Sequence, residues 1–515
     1  MSPFRKMTIR IVLFTGLMMI GTSLFATRSV THNATNPLRH DDDDHAVSRE
    51  HLAVASEIHF LNQAKTQQDM IGNPVIRQSL QLRKFPYPYD AMLSITSDAD
   101  GLTLSKFELI HRFLNTHENT PLGTGLGLDI SDSFFFFIGN DRSGYLDHPE
   151  QTSWQDQMSY FYRLSTSDLH DAKAIIYYSR VGWIDSMHTL GDFSLADENR
   201  TLFHRTFAKV AVKTLKENHL TYTVWINHGN KSNVGNFGDI KSTYQQGDLK
   251  SSPYYISDLI LASGVKFVWT GRDDHFGLPS MIYPITLRDG HSCFGFHRYT
   301  DDGFSRSHEV LWNWNPLFFN KQLSAIHLRE LENKHEYSIV AQHLGGNSSP
   351  LPFYGRNLAA LVRLEQEYKH GRILVARTSR LLQYNEVQQY LHANIELHNG
   401  KATIVIDQVR DPVLGYYRPT LDQVRGVTFY TSNPYATTIK IGKHPVPFDQ
   451  LRRNPPDQTG VPSLQIAWWP VDMVDYTKHF SFTGQSHTNL FVPDKRNDSQ
   501  KQDHSPLWLW REDHM

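Results

Sequence analysis

The sequence predicts an α/β fold, with a parallel barrel or open parallel sheet covered by helices and followed by a small antiparallel β domain. Residues 91–392 alternate short β-like runs with amphipathic helical stretches, which is typical of strands joined by crossover helices. Near residue 393 the helical spacing gives way to short alternating strands. Polar residues collect directly after several predicted strands, and active sites of parallel α/β folds lie at that edge of the sheet.

The first predicted element is an N-terminal targeting segment at residues 1–26. Arg5, Lys6 and Arg10 precede an almost uncharged apolar run at 11–26, as in a signal peptide or an uncleaved signal anchor. We therefore expect an exported protein, which this segment either anchors in the membrane or releases as a secreted or periplasmic chain.

Residues 27–84 form the next element, a solvated linker and lead-in segment. The acidic run at 41–44 and the scarcity of apolar residues up to position 50 predict little core there. The chain has one cysteine, Cys293, so no intrachain disulfide can form and folding depends on the apolar core.

The predicted barrel region, residues 85–392, opens with a strand that ends in two carboxylates. Side chains alternate between the two faces of a strand, so Asp98 and Asp100 in the segment Ser94–Gly101 point to the same side. Such a pair can hold a metal ion or take a proton. A solvated Asp-Ala-Asp-Gly turn explains the same residues about equally well.

Helices and strands then alternate. Apolar residues at 107–114 repeat at helical spacing, and Ser105 with Glu108 predicts a capping box at the start of this helix. The later units repeat this order, with predicted helices at 168–179, 202–216, 255–262 and 323–334 and predicted strands at 183–188, 221–228, 265–270 and 337–343.

Residues 393–492 are predicted to form a β-sandwich-like domain. Asn399 and Gly400 separate two short alternating runs and predict a tight hairpin, because both turn positions need positive φ. The runs at 427–430 and 437–441 predict a second strand pair.

The bulk composition limits the classes of partner. The 515 residues are 39% hydrophobic and 12% aromatic, which is enough for a substantial core. A formal net charge of −2 argues against nucleic acid or an anionic membrane surface as the main partner. A neutral polymer or small molecule is the better match, and the polar stretch at 493–515 is predicted to be a loose tail.

Candidate metal ligands follow the strand predicted at 183–188. His188 and Asp192 are four residues apart, within reach of each other on one helical turn, and could ligate one divalent ion. Neutral imidazole and carboxylate are ordinary zinc ligands. Such spacings also arise by chance in a chain with 28 histidines, so the position after a strand is the stronger argument.

Other strand-end residues are candidates for catalysis or binding. His343 ends the strand at 337–343 and could act as a general acid or base. Asn227 and His228 end another strand, and Arg272 follows a third, so we assign these three residues to substrate binding. A hydrogen-bonded structural histidine and an ordinary surface ion pair remain open explanations.

The order of these motifs resembles the polysaccharide deacetylase (NodB-like, carbohydrate esterase family 4) group, within the glycoside hydrolase/deacetylase superfamily of distorted (β/α) barrels. The resemblance covers roughly residues 85–392. It implies that Asp98 is the general base and Asp100 a metal ligand. His188 matches the first histidine of the His-x-x-x-His motif, Asp192 stands at the second, and His343 matches the late catalytic histidine.

The resemblance implies a function and a cofactor. The chain would be a metal-dependent hydrolase that removes acetyl groups from an N-acetylated amino-sugar polysaccharide outside the cytoplasm, with a divalent ion, expected to be zinc. Two positions depart from the family pattern. Asp192 replaces a histidine, and Asn227, His228 and Gly229 stand where an Arg and a Pro are usual.

Three other functions remain open on the sequence alone. A glycoside hydrolase on the same barrel would use Asp98 and another strand-end carboxylate. A glycosyltransferase would use Asp98, Ala99 and Asp100 as a metal-binding Asp-x-Asp motif. A relative without activity would bind polysaccharide only, and Asp192 in place of a histidine makes this a serious alternative.

Overall fold

The computed structural model describes residues 80–139, 157–195, 197–239, 241–270, 276–300, 314–345 and 351–480. All of them belong to a compact unit that extends from Val75 to Met515. The predicted N-terminal segment 1–26, most of the linker, the tail 493–515 and the candidate residue Arg272 lie outside the described residues.

The helices of the α/β region confirm the predicted alternation to within a few residues. In chain order they are α1 Leu104–Asn115, α2 Ala172–Val181, α3 Arg205–Glu217, α4 Ser257–Ala262, α5 Phe319–Gln322, α6 Ala325–Asn333, α7 Gly355–Lys369 and α8 Thr378–Tyr390.

The strands are short and fall into a large sheet, two smaller sheets and two strand pairs. In chain order they are β1 Leu82–Arg83, β2 Ala91–Ser97, β3 Asn119–Thr120, β4 Gly123–Thr124, β5 Ser131–Phe134, β6 Phe137–Ile138, β7 Ile184–His188, β8 Gly191–Asp192, β9 Val224–Ile226, β10 Phe267–Trp269, β11 Ile282–Thr286, β12 Ser292–Phe296, β13 Tyr337–Gln342, β14 Ile373–Val375, β15 Leu391–His398, β16 Lys401–Asp411, β17 Gly415–Tyr417, β18 Thr428–Tyr430, β19 Thr437–Ile441, β20 His444–Pro445, β21 Leu451–Asn454 and β22 Ser463–Ile466.

The large sheet makes the fold a mixed α/β structure, as predicted. Its strand order is β11-β12-β10-β9-β7-β5-β2-β13, and β14 also pairs with β2. All of these pairings are parallel except that of β11 with β12. Because the parallel strands run in the same direction, the residues that follow β2, β7, β9, β12 and β13 lie at one edge.

The large sheet is curled, so that its two ends approach each other. Single bridges join Leu278 to Tyr337 and Tyr299 to Val340, which links the segments flanking β11 and β12 to β13 at the other end of the sheet. Tyr299 N–H donates to Ile339 O at 2.7 Å. Because the sheet curls, the segment that follows β12 lies close to the residues that follow β13.

Helix α1 follows β2 and packs on the outer face of the sheet. Phe107, Ile110 and Leu114 are fully buried there, as the helical spacing predicts. The predicted capping box at Ser105 and Glu108 was wrong. The helix begins two residues earlier, because the N-cap is Thr103, whose hydroxyl oxygen accepts the N–H of Lys106 at 3.3 Å.

The C-terminal β region confirms one predicted strand pair and corrects the other. Strands β15 and β16 form the expected antiparallel hairpin, with φ of 50° at Asn399 and 73° at Gly400. The predicted pairing of 427–430 with 437–441 was wrong: β18 pairs with β1 and β22, whereas β19 pairs with β16 and β20. The β16–β19 pair is parallel, so this region is mixed.

One apolar core joins the inside of the curled sheet to the C-terminal β region. Its buried residues come from both parts of the chain and include Phe85, Met92, Tyr337, Leu374, Ile404, Val427, Phe429 and Leu464. A second core lies between the large sheet and its covering helices. Among the described residues, the helices are all too short or too polar to pass through a lipid bilayer.

Candidate functional site

Five of the candidate residues meet at the C-terminal edge of the large sheet. Asp98 and Asp100 directly follow β2, His188 is the last residue of β7, and His343 follows β13. His228 follows β9 at the same edge and completes the cluster. The rule that polar residues after parallel strands converge therefore holds for these positions.

Asp98 is held by an arginine that sequence reasoning did not identify. Arg298 donates from Nη1 and Nη2 to the two carboxylate oxygens of Asp98, each at 2.9 Å, and both side chains are fully buried. Burial alone would raise the pKa of Asp98, but the Arg298 guanidinium holds the pKa well below its usual range. Arg298 also lies 4.5 Å from the centre of the Trp269 ring.

Asp100 is surrounded by imidazole rings. Its Oδ1 lies 2.7 Å from Nε2 of His228, and its Oδ2 lies 3.3 Å from Nδ1 of His188. Burial would raise the pKa of Asp100, but the nearby histidines, led by His228, hold the pKa well below its usual range. Both carboxylates of the Asp-Ala-Asp segment are therefore charged around neutral pH.

His188 is buried without a hydrogen bond at either ring nitrogen within the part of the chain that the structure describes. Its ring stacks on Phe135 with centroids 4.8 Å apart and an interplanar angle of 18°. Burial lowers the pKa of His188, which favours the neutral imidazole. A neutral imidazole that is fixed in position and has free ring nitrogens is a suitable metal ligand.

Two overlapping groups in this cluster could hold a metal ion. One consists of Asp100, His188 and His228, and the other of Asp98, Asp100 and His343; within each group the ligand atoms lie within 4.8 Å of one another. The first group fits a cation better, because both oxygens of Asp98 are already bonded to Arg298. One carboxylate and two imidazoles are an ordinary donor set for catalytic zinc.

His343 is the most accessible residue of the cluster, with 23% of its side chain exposed. Its Nε2 lies 3.4 Å from Asp98 Oδ2 and 3.9 Å from Asp100 Oδ2. The Trp314 and His343 rings are nearly perpendicular, with centroids 4.8 Å apart. His343 is thus placed to pass a proton between Asp98 and a bound molecule.

Asp192, predicted as a metal ligand, is not part of either group. The expected helical turn from His188 to Asp192 is absent, because Thr189 has a φ of 49° and β8 pairs with β6. Asp192 Oδ1 accepts the backbone N–H of Ser194 at 3.0 Å and lies 3.7 Å from Nδ1 of His228. It therefore lies behind His228, on the side away from Asp100.

The residues assigned to substrate binding are distributed differently. Asn227 is buried, and its amide NH₂ donates to the carbonyls of Phe237 and Trp269 at 2.8 and 2.7 Å. Its Oδ1 accepts from Trp225 Nε1 at 2.9 Å. Through these bonds Asn227 links the end of β9 to β10 and to the loop that follows β9. His228, in contrast, lies beside Asp100.

Known proteins give no further guide to this site. No protein-family model and no curated protein sequence matches the chain. The resemblance to polysaccharide deacetylases therefore stays a prediction.

Proposed function

We propose that the protein is a metal-dependent hydrolase that removes acetyl groups from an N-acetylated amino-sugar polysaccharide outside the cytoplasm. Asp98 and His343 are the proposed catalytic residues, and Asp100 with His188 are the main metal ligands. The curled sheet is compatible with the distorted (β/α) barrel of the deacetylase group. The export signal predicted at residues 1–26 matches a substrate at or beyond the cell surface.

The observation that carries this proposal is a set of unsatisfied atoms. Asp100 Oδ2, both ring nitrogens of His188, and Nε2 of His343 are buried without a hydrogen bond among the described residues. A buried polar atom without a partner costs about 1–3 kcal/mol. Several such atoms turned toward one another at the edge of a parallel sheet indicate a site for a ligand that satisfies them.

A divalent cation fits the donors of this site. Asp100 and His188 offer the free oxygen and nitrogens, and His228 is the third side chain of the group. When bound, zinc would polarise the acetamide carbonyl and lower the pKa of a coordinated water toward neutrality.

Asp98 is the proposed acceptor of the water proton. Arg298 fixes both of its oxygens in place, so the carboxylate is oriented before substrate binds. The pKa of Asp98, held below its usual range by Arg298, keeps the carboxylate charged around neutral pH and so able to accept a proton. Because His343 Nε2 lies 3.4 Å from Asp98 Oδ2, that proton has a short path to the departing amine.

The charge state of the carboxylates disfavours glycoside hydrolysis at this pair. A glycosidase needs one carboxyl group that stays protonated to act as the general acid. The pKa values of Asp98 and Asp100 are both held well below the usual range, for the reasons given above. Metal-assisted deacetylation needs no protonated carboxylate.

The test is to incubate the purified chain with N-acetylated amino-sugar polymers and to measure acetate and new reducing ends together. We expect acetate without reducing ends, loss of acetate release in Asp100→Ala, and normal release in Asp449→Ala, which changes an exposed aspartate far along the chain. Reducing ends without acetate would support a glycoside hydrolase. Polymer binding with neither product would support an inactive binding protein.

A further inference from the structure

A pocket lies at the N-terminal edge of the large sheet, opposite to the candidate metal site. Asp129 lies two residues before β5 and Trp183 directly before β7, so both mark the edge at which these parallel strands begin. Arg377, directly before α8, and Trp469, in the segment after β22, line the same pocket. The pocket encloses about 420 Å³, which is within the range of small-molecule sites in proteins.

The charged side chains that line this pocket balance one another. Arg377 Nε donates to Asp129 Oδ1 at 2.8 Å, and Arg380 Nη1 donates to Asp129 Oδ2 at 2.7 Å. Burial would raise the pKa of Asp129, but the two guanidinium groups hold this pKa at about 2. Asp472 supplies a second carboxylate. Because the described lining residues include two cations and two anions, a neutral ligand fits the pocket better than an ion.

The pocket offers hydrogen-bond donors and acceptors together. Arg380 bonds to Asp129 through Nη1, whereas its Nε and Nη2 make no hydrogen bond among the described residues, and 22% of the side chain is exposed. Asp472 is exposed, and its two oxygens accept from Val474 N–H at 3.1 Å and from Tyr476 O–H at 2.5 Å, which leaves lone pairs on both. A hydroxyl group both accepts and donates, so it can bond to a guanidinium and to a carboxylate.

Aromatic rings form one wall of the pocket. Trp468 and Trp469 are adjacent in sequence, line the pocket and are partly exposed. The Trp468 ring meets the Tyr384 ring at 80°, with centroids 5.8 Å apart. The guanidinium groups of Arg380 and Arg425 lie 4.4 and 4.9 Å from the centre of the Trp469 ring. Apolar C–H surface packs well on aromatic rings, and a wall that neighbouring side chains already hold in place lowers the entropic cost of binding.

We propose that this pocket binds one neutral sugar residue of a polysaccharide. A pyranose ring carries neighbouring hydroxyl groups at its rim, which match Arg380 and Asp472, and C–H groups on its faces, which match the tryptophan wall. Binding requires no reaction, so it does not depend on the proposed deacetylation. Where the same polymer is the substrate, attachment here raises its effective concentration at the catalytic edge, and this further role rests on the proposed function.

Calorimetric titration of the full-length chain with neutral sugar oligomers tests this inference. The probes are the hexasaccharides of N-acetylglucosamine and of glucose. We expect at least one of them to bind, and to bind at least about tenfold more weakly to Arg380→Gln, which removes hydrogen bonds from a charged donor. Asp472→Asn, at an exposed position, should give a smaller loss in the same direction. The controls Arg329→Gln and Asp168→Asn change exposed residues outside the pocket lining and should bind as the native chain does.

No binding of either hexasaccharide, or equal dissociation constants in the native chain and in both pocket variants, would overturn the inference. Titration with sodium acetate and with inorganic phosphate tests the charge argument. If either ion bound more tightly than the hexasaccharides and lost that binding in Arg380→Gln, the pocket would be an anion site instead. Circular dichroism verifies that the variants are folded. Hexasaccharide binding that depends on Arg380, together with no acetate release, would remove the proposed function and leave the sugar pocket intact.

Discussion

Two buried pairings of histidine with aspartate lie on the same sheet and differ in how their rings are satisfied. His111, on α1, has Nε2 2.9 Å from Asp132 Oδ2 and Nδ1 2.9 Å from Asn115 Oδ1. His188, at the end of β7, is equally buried beside Asp98 and Asp100, yet neither ring nitrogen makes a hydrogen bond among the described residues. Burial and residue type are the same in both arrangements, so neither property distinguishes a structural histidine from a functional one.

The bonding of the imidazole nitrogens distinguishes the two arrangements, because Asp132 Oδ1 beside His111 is also buried without a hydrogen bond among the described residues. The His111 ring also stacks on Trp183 at 5.3 Å, and Asn115 donates onward to the carbonyl of Ile130. Every ring atom that can bond has a partner inside the protein, as expected of a structural network. The cluster around His188 keeps unsatisfied atoms, as expected of a site that awaits a ligand.

The largest expected effect is on catalysis. Asp98→Asn should lower acetate release by about 10²–10⁴-fold, because it removes the proton acceptor. Asp132→Asn, the corresponding change in the His111 pairing, should leave acetate release by the folded protein unchanged. Circular dichroism verifies that both variants are folded. If both then lost acetate release equally, the two pairings would not differ in function.

For the free energy of unfolding, we expect the larger effect at the His111 pairing and the smaller effect at His188. His111→Ala should lower the free energy of unfolding by about 3–5 kcal/mol, because it leaves Asp132 and Asn115 buried without their partner. His188→Ala should cost roughly 2 kcal/mol less, because no hydrogen bond is lost. Urea unfolding of both variants measures this, and a larger loss in His188→Ala would contradict the account.

Another buried acid extends the comparison to pH dependence. Glu386 of α8 is fully buried, and Tyr417 O–H donates to it at 2.6 Å. Burial first, and then the nearby Asp411, raise the pKa of Glu386 from 4.5 to about 7. The folded chain therefore keeps the proton to higher pH than the unfolded chain, and this contribution to stability is full below pH 4.5 and lost as pH rises through about 7.

Glu386→Gln mimics the protonated form and should remove that pH dependence. Between pH 4.5 and 8 the native chain should lose about 3 kcal/mol of stability relative to this variant. Glu396→Gln, at an exposed position on β15, serves as the control and should follow the native curve. Denaturant unfolding at several pH values measures the difference, and parallel curves for native protein and Glu386→Gln would rule out the buried proton.

The smallest expected effect concerns the helix that carries His111. Thr103→Ala removes the side-chain bond to Lys106 N–H and should lower the free energy of unfolding by about 1 kcal/mol. Ser105→Ala, at the position first predicted for the cap, should cost less. If thermal unfolding showed a larger loss of stability in Ser105→Ala than in Thr103→Ala, Ser105 would be the N-cap, as predicted from the sequence.

Sequence reasoning located most of the α/β fold because its signals are local. Helical spacing and the order of helix and strand identified α1 and the units that follow it. Packing between distant segments decides which strands pair. The sequences of β16 and β19 therefore do not indicate that these two strands pair in parallel. The Asn-Gly hairpin was predictable because its turn geometry is local.

The same division applies to the site. Asp98, Asp100, His188 and His343 were found because each follows a predicted parallel strand. Arg298 was missed, because it follows β12, a strand that the helix and strand alternation did not reveal, and its partner Asp98 is 200 residues away in sequence. An arginine two residues after the apolar run of β12 was the available signal.

Asp192 shows how a spacing rule fails. Residues at positions i and i+4 are neighbours on the surface of a helix, but His188 and Asp192 belong to two short strands joined by a turn. The role expected of Asp192 within the ligand group is filled in space by His228.

The unsatisfied atoms around His188 form the proposed cation site. The most direct test is the metal content of the purified full-length chain after dialysis against zinc, compared with His188→Ala and with His398→Ala, which changes an exposed histidine on β15. We expect about one zinc per chain in the native protein and in His398→Ala, and none in His188→Ala. A native chain without zinc, or zinc retained in His188→Ala, would contradict the account.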